Sequence, residues 1–172
     1  MQKICYSVAM SLDGYIAGPN GEADWIGADP ETNFAEIWSR FDILLMGRKT
    51  YEAARSGFEQ FGTQGSKIVV ASQTLRANDA PNIAIISHLT RDAVAGLRAQ
   101  SKKDIWLFGG GHLFRSLLKL HAVDSIEVAI IPVLLGTGVP LLPAGHEQTT
   151  LELLDHKSHR SGRVLLNYAV QY

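Results

Sequence analysis

The chain has 172 residues, with 16 Lys+Arg against 17 Asp+Glu and a formal net charge of −1. This length suits one domain with a full core, residues 1–172, and 46% hydrophobic with 19% charged residues is too apolar for a disordered chain. A near-neutral chain has no global field to draw in nucleic acid or an anionic membrane, so any phosphate must be held by a local patch of cations and backbone N–H groups.

Lys3 to Met10 is an apolar run with β-branched and aromatic members and is a predicted strand. Its Cys5 is the single cysteine, so the chain can form neither an intramolecular disulfide nor a cysteine-based zinc site, and the thiol reads as buried and structural. The run is short and meets Asp13 before any cleavage-like site, unlike a signal peptide, and the expectation is a soluble, cytoplasmic protein. Ser11 to Asp29 is rich in Gly, Pro, Asn and Asp and reads as a loop. Phe34, Ile37, Trp38 and Phe41 recur at helical spacing, which predicts an amphipathic helix over Glu31–Phe41. Ile43–Met46 is a short buried strand ended by Gly47, and Thr50 can cap a helix over Tyr51–Arg55. A glycine-punctuated loop over Ser56–Ser66 leads to strands at Lys67–Ala71 and Ile83–Ile86.

Thr90 to Ala99 is a predicted helix, with Thr90 as N-cap and Asp92 in the positive first turn. Asp104–Phe108 is a strand, followed at once by three glycines and a helix carrying Leu113, Leu117 and Leu118. Ser125–Ile131 is the next strand. Val128 to Gly145 has no charge and approaches the ~20 residues of a membrane span, but Pro132, Gly136, Gly138, Pro140 and Pro143 fit a strand and an extended loop instead. Leu151–Leu154 and Val164–Val170 look like hairpin arms joined across Lys157–Gly162. Strand and helix alternate first and strands come together at the end. That order predicts an α/β fold with a mostly parallel sheet of about eight strands, helices on both faces and an antiparallel C-terminal hairpin.

Three predicted strand ends carry residues suited to phosphate. Phe108-Gly109-Gly110-Gly111-His112-Leu113-Phe114 is strand, glycine cluster, helix. Glycines let the backbone approach a pyrophosphate, and the helix start offers free N–H groups. The dinucleotide fingerprint is incomplete, because Phe114 occupies its third glycine position, and a tight turn explains the glycines equally well. Met46-Gly47-Arg48-Lys49-Thr50 places two cations and a hydroxyl at a helix start, as a phosphate clamp or as solvated loop charges. Ala71-Ser72-Gln73-Thr74-Leu75-Arg76 gathers hydroxyls and a cation after a third strand. Ligands of open parallel sheets sit at the carboxyl ends of strands, so the three together point to a nucleotide site. His156-Lys157-Ser158-His159 has no third ligand in view and is not read as a metal site.

Six segments carry a resemblance along nearly the whole chain: Ala9-Met10-Ser11-Leu12-Asp13-Gly14-Tyr15-Ile16-Ala17, Asp24-Trp25, Leu45-Met46-Gly47-Arg48-Lys49-Thr50, Val70-Ala71-Ser72-Gln73, Phe108-Gly109-Gly110-Gly111 and Ile131-Pro132-Val133-Leu134-Leu135-Gly136. Together they resemble the dihydrofolate-reductase-like superfamily, above all the reductase domain of the bifunctional riboflavin-biosynthesis deaminase–reductase and its stand-alone relatives. The resemblance implies that superfamily's three-layer fold, an NADPH-dependent reductase and a homodimer. By position, Ala9 and Ile16 would line the nicotinamide. Gly47, Arg48, Lys49 and Thr50 would hold the pyrophosphate and the 2′-phosphate end, with Ser72 and Gln73 near the adenosine 2′-phosphate. Gly109, Gly110 and Gly111, with His112, Leu113 and Phe114, would cradle the diphosphate and nicotinamide edge. Dihydrofolate reductases often carry Arg or Lys where this chain has His112, which weakens the grip on phosphate.

At the substrate end, Asp29 and Glu31 straddle the position of the family's helix-start carboxylate, and both also suit a helix dipole. Asp13 falls in the loop that closes over the nicotinamide and is, with Asp29 and Glu31, a candidate catalytic carboxylate, although Asp-Gly is itself a turn signal, and Ser11 beside it is a candidate substrate-binding residue. Trp25 is read either as a substrate-stacking residue or as packing. The deaminase half of the riboflavin enzyme needs a His/Cys/Cys zinc site, which one cysteine cannot supply. The expected activity is therefore reduction of a small heterocycle or of a pyrimidine's ribosyl group. The alternatives are dihydrofolate reduction and a nucleotide-binding module without catalysis.

Overall fold

Side chains along the first strand alternate between two cores. β1 (Ile4–Ser11) sends Ile4 and Tyr6 to one face and Cys5 to the other, and all three are at most 1% exposed. In this computed structural model, which describes residues 2–76, 78, 80 and 82–172, five more strands run parallel to β1. They are β3 (Phe41–Gly47), β4 (Lys67–Ala71), β5 (Ala84–Ile86), β6 (Asp104–Gly109) and β7 (Ser125–Ile131). β10 (Val164–Gln171) returns antiparallel on β7, and β9 (Thr150–Ser158) pairs antiparallel with β10. The eight-stranded order is β5-β4-β3-β6-β1-β7-β10-β9. β2 (Tyr15–Ala17) and β8 (Val139–Pro140) form a separate two-stranded sheet.

α3 (Arg91–Gln100) and α4 (Gly111–Lys119) cover the Tyr6 face with Val94, Leu97, Leu113, Phe114, Leu117 and Leu118. α1 (Phe34–Ser39) and α2 (Arg48–Phe61) cover the Cys5 face, where Tyr51 and Trp38 meet Leu44, Met46 and Trp106. These are the three layers expected from the order of elements. Trp38 and Phe41 both pack on Trp106, with ring centroids 5.1 and 5.2 Å away, as core aromatics should. Burial pushes the Cys5 thiol up to about 12, which leaves it protonated and inert at neutral pH. The uncharged stretch from Val128 is strand and loop, and no helix among the described residues is long and apolar enough to cross a membrane.

Several elements differ from the sequence expectation. α1 begins at Phe34, where Asn33 caps it by accepting from the Glu36 N–H at 3.2 Å, and it ends before Phe41, whose ring belongs to the Trp106 core in β3. Phe34 opens that helix 55% exposed, outside the apolar stripe. α2 starts at Arg48 with Gly47 as N-cap, so Thr50 lies one turn inside and makes no cap bond. It continues to Phe61, through the first half of the Ser56–Ser66 segment read as a loop, because Gly57 is accepted within a helix. β9 takes in His156, Lys157 and Ser158, leaving only residues 159–163 for the turn. The β2–β8 pair lies within segments expected to be loop. At Thr90 the expectation holds, and its Oγ1 accepts from the Ala93 N–H at 3.1 Å.

Candidate cofactor and substrate site

The register brings the carboxyl ends of β4, β3, β6, β1 and β7 side by side along one edge of the sheet. Along that edge, in order, stand Ser72 and Gln73 after β4, Arg48 and Lys49 after β3, the glycines after β6, Ser11 and Asp13 at the end of β1, and Pro132 after β7. β6 lies between β3 and β1, so the chain reverses direction of travel across the sheet where the glycine run emerges. This is the switch point at which open α/β sheets bind ligands.

Two helices start there without side-chain caps. Gly47 precedes α2 and Gly110 precedes α4, and neither offers a side chain to the first-turn N–H groups. Those donors and the helix dipoles favour an anion. Arg48 and Lys49 are exposed, with Arg48 only loosely paired to Glu52 at 3.7 Å. The helix starts also touch, since a Cβ on Gly110 would stand 3.2 Å from Thr50 Oγ1. Gly111 is packed on the α4 side, where a Cβ would meet the Pro140 carbonyl at 2.8 Å and Pro143 Cδ at 2.9 Å. A Cβ on Gly47 would point into open space, which leaves room in front of the α2 start. A dinucleotide's phosphates fit these residues.

Leu113 and Phe114, expected beside the diphosphate and nicotinamide edge, stand at the α4 start in the structure. Both side chains turn into the core, 8% and 2% exposed, and Phe114 packs on the Tyr6 ring at 4.1 Å. The Phe114 N–H already donates to the Gly110 carbonyl, so at this helix start only Gly111, His112 and Leu113 could offer backbone donors to an anion. The His112 side chain is exposed and lies 3.5 Å from Arg115 Nη2. The Ser72 hydroxyl accepts from the Thr74 and Leu75 N–H groups and so shapes its own turn, while Gln73 is exposed.

Asp13 links two loops. Its carboxylate accepts from Ser11 Oγ at 2.6 Å, Leu135 N at 3.1 Å and Gly136 N at 2.7 Å. The Ser11 hydroxyl is 2.6 Å away and first among the causes that hold Asp13 below its ordinary carboxylate range. Fully buried Ser11 also accepts from the Tyr15 N–H, which leaves its hydroxyl structural. Together these bonds fix the β1–β2 loop, with Ile16, against the segment after β7. Ala9 and Ser7 occupy the Cys5 face of β1. Ser7 is in register with Glu127 of β7, and Glu127 with Asn167 of β10. Arg40 forms an ion pair with Glu127, and Asn167 keeps a buried Oδ1 without a partner among the described residues.

Asp29 and Glu31 are not first-turn acids of α1; they anchor the β9–β10 turn. Asp29 is buried, and its carboxylate takes Ser161 Oγ at 2.6 Å, His159 Nδ1 at 3.1 Å and the Glu31 N–H at 2.8 Å. The Ser161 hydroxyl leads the causes that lower its pKa from 3.8 to about 2. Arg163 adds an ion pair at 3.5 Å and donates to the carbonyls of Ile26 and Gly27 and to Thr32 Oγ1. Glu31 accepts from the Arg160 N–H. The cluster seats the segment bearing Trp25 on a turn beside Pro132, at the carboxyl edge. Half-buried Trp25 donates its indole N–H to the Glu22 carbonyl, which leaves its ring face for packing or stacking. Sequence reasoning missed Arg163, His159 and Ser161 because their partners lie more than a hundred residues away. Ser-His-Arg-Ser-Gly-Arg, a polar run between two apolar arms, was the only signal. Among the described residues no three metal-ligating side chains gather, and His156 stands on β9 away from His159.

The RibD C-terminal domain family matches residues 2–166. This chain belongs to that family. The match spans every strand that builds the edge, from β1 through β7, reaches the first residues of β10, and agrees with the resemblance seen in the motifs. The uncharacterized protein YyaP of Bacillus subtilis (strain 168) is 31% identical, over 97% of this chain and 94% of its own length. A solved structure of a protein named for riboflavin biosynthesis, from Shewanella sp. PV-4, superposes with a TM-score of 0.84 at 25% identity, covering 100% of both chains. The Thermotoga maritima diaminohydroxyphosphoribosylaminopyrimidine deaminase/5-amino-6-(5-phosphoribosylamino)uracil reductase superposes with a TM-score of 0.76 at 14% identity. That match covers 99% of this chain and 57% of the Thermotoga chain, and shows a shared fold.

Proposed function

We propose that this chain is an NADPH-dependent reductase of a small heterocyclic or ribosyl-pyrimidine substrate, similar in reaction to 5-amino-6-(5-phosphoribosylamino)uracil reduction. The observation that carries this reading is the order of residues along the sheet edge. Ser72 and Gln73 stand where an adenosine 2′-phosphate would lie, and Arg48, Lys49 and two uncapped helix starts follow for the diphosphate. Ala9 and the Asp13-held loop come next for the nicotinamide, then the Trp25 segment for the substrate. Bound NADPH would supply the hydride from its nicotinamide ring. The chain's own part is to neutralise the phosphates, orient the ring against β1 and keep water out. Membership of the RibD C-terminal domain family and the reductase named in the Thermotoga structure support the same reading.

The dihydrofolate alternative asked Asp29 or Glu31 to face the substrate, and both are bonded into the β9–β10 turn. A ribosyl-pyrimidine is therefore preferred over dihydrofolate. The test is a fluorescence titration with NADPH, followed by turnover on ribosylaminopyrimidine, dihydrofolate and aldehyde panels. Arg48→Ala should weaken NADPH binding about tenfold or more, the effect of removing one charge-assisted contact. Wild-type protein without NADPH affinity, or a variant binding equally well, would sink the proposal. Tight NADPH binding with no oxidation on any panel would instead favour the non-catalytic nucleotide-binding module.

A further inference from the structure

The helices leave part of the Cys5 face uncovered. The apolar cluster beneath α1 and α2 takes no residue from β7 or β10 among those described. Register sets two rows there instead: Ala9, Ala129 and Leu165 nearer the carboxyl edge, and Ser7, Glu127 and Asn167 behind them. All six are half-buried. Three elements frame this shelf. Arg163 and Asp29 hold the Trp25 segment along the carboxyl edge. Arg40, at the end of α1, donates through both terminal nitrogens to the Glu127 carboxylate. β9, exposed along its whole length, forms the outer rim.

Asn167 is the unsatisfied group on the shelf. Its Oδ1 is buried and has no hydrogen-bond partner among the described residues. Its two neighbours across the sheet are engaged elsewhere, Glu127 with Arg40 and Asp155 with the His156 N–H. An unmet buried acceptor destabilises the fold, and a donor on a ligand relieves it. We propose, resting on the reductase reading above, that Asn167 selects the substrate ring by pairing with a ring N–H and the carbonyl next to it. Its Oδ1 accepts from the N–H, and its Nδ2 donates to the carbonyl. A carboxylate in this place would take two donors, whereas a carboxamide takes one donor and one acceptor, the edge of a pyrimidinedione. Arg40 neutralises Glu127, which favours a neutral ring over a cation. Asn167 stands two strands, about 10 Å, from β1 and one row behind Ala9. A ring paired with Asn167 therefore extends its substituent toward the nicotinamide at Ala9.

Calorimetric titration of the full chain in excess NADPH tests the proposal. The probes are a diaminouracil and its derivative methylated at the ring nitrogen between the two carbonyls. Wild type should bind the parent ring about tenfold or more tighter than the methylated one, because methylation removes the donor. Asn167→Leu nearly keeps the volume and removes the amide. It should bind both rings alike and keep the wild-type NADPH affinity. Its urea midpoint should not fall, since the unpaired acceptor is gone. A purely structural Asn167 would give the reverse, a lower midpoint with the ring preference intact. Wild type that binds both rings alike or neither, or a variant that keeps the preference, would overturn the role of Asn167. A wild type without NADPH affinity fails the reductase reading itself, and one that binds NADPH without this preference fails Asn167 alone.

Discussion

Asp29 carries more hydrogen bonds than its place in a Gly- and Asp-rich loop suggests. Hydroxyl, imidazole and backbone donors converge on it, and they stabilise the carboxylate over the acid. Its folded-state value lies below the ordinary one. The charge therefore supports the fold at pH above 3.8, and that support is lost as pH falls from 3.8 toward about 2. Asp29→Asn should be less stable than wild type at neutral pH, and the gap should narrow through this window. Urea midpoints measured across pH would show it, and a constant gap would mean that Asp29 does not carry this linkage. None of this was legible locally, because Ser161 is 132 residues from Asp29 in the chain. Asp13 was partly legible, since Asp-Gly announces a turn. Its bonds to Leu135 and Gly136 depend on β7 lying beside β1.

At the scale of elements, two glycines separate packing from propensity. Gly111→Ala would press a methyl against the carbonyls of Pro140 and Leu141, at 2.8 and 3.0 Å, where backbone cannot move aside. It should destabilise the chain by about 1–3 kcal/mol. Gly57 lies inside α2, and a Cβ there meets nothing within 4 Å. Gly57→Ala should stabilise by about 0.5–1 kcal/mol by reducing backbone freedom in the unfolded chain. Chemical denaturation of both variants checks the contrast, and equal signs would refute it. Glycine punctuation misled the reading of α2 because glycine lowers helix propensity by only about 1 kcal/mol, which tertiary contacts of Tyr51 and Phe58 override. Helix starts with a short-range cap, such as Thr90, were legible because cap and helix are neighbours in the chain.

At the scale of the whole molecule, a ligand that binds only the folded state must raise its stability. NADPH at about a hundred times its Kd should add about 2.7 kcal/mol, seen as a rise in Tm that Arg48→Ala reduces at the same concentration.

The amino-acid sequence by itself determined the layered α/β class, the parallel sheet with its C-terminal hairpin, the family and the glycine and cation clusters at strand ends. Each rests on periodicity, caps or motifs contained within a few tens of residues. Only the tertiary structure decided that Asp29 and Glu31 belong to a turn, that Leu113 and Phe114 face the core, and that β9 is exposed along its whole length. Those outcomes depend on which strands become neighbours and which face each register turns inward. Both are set by burying apolar area from distant segments at once, a condition no local window contains.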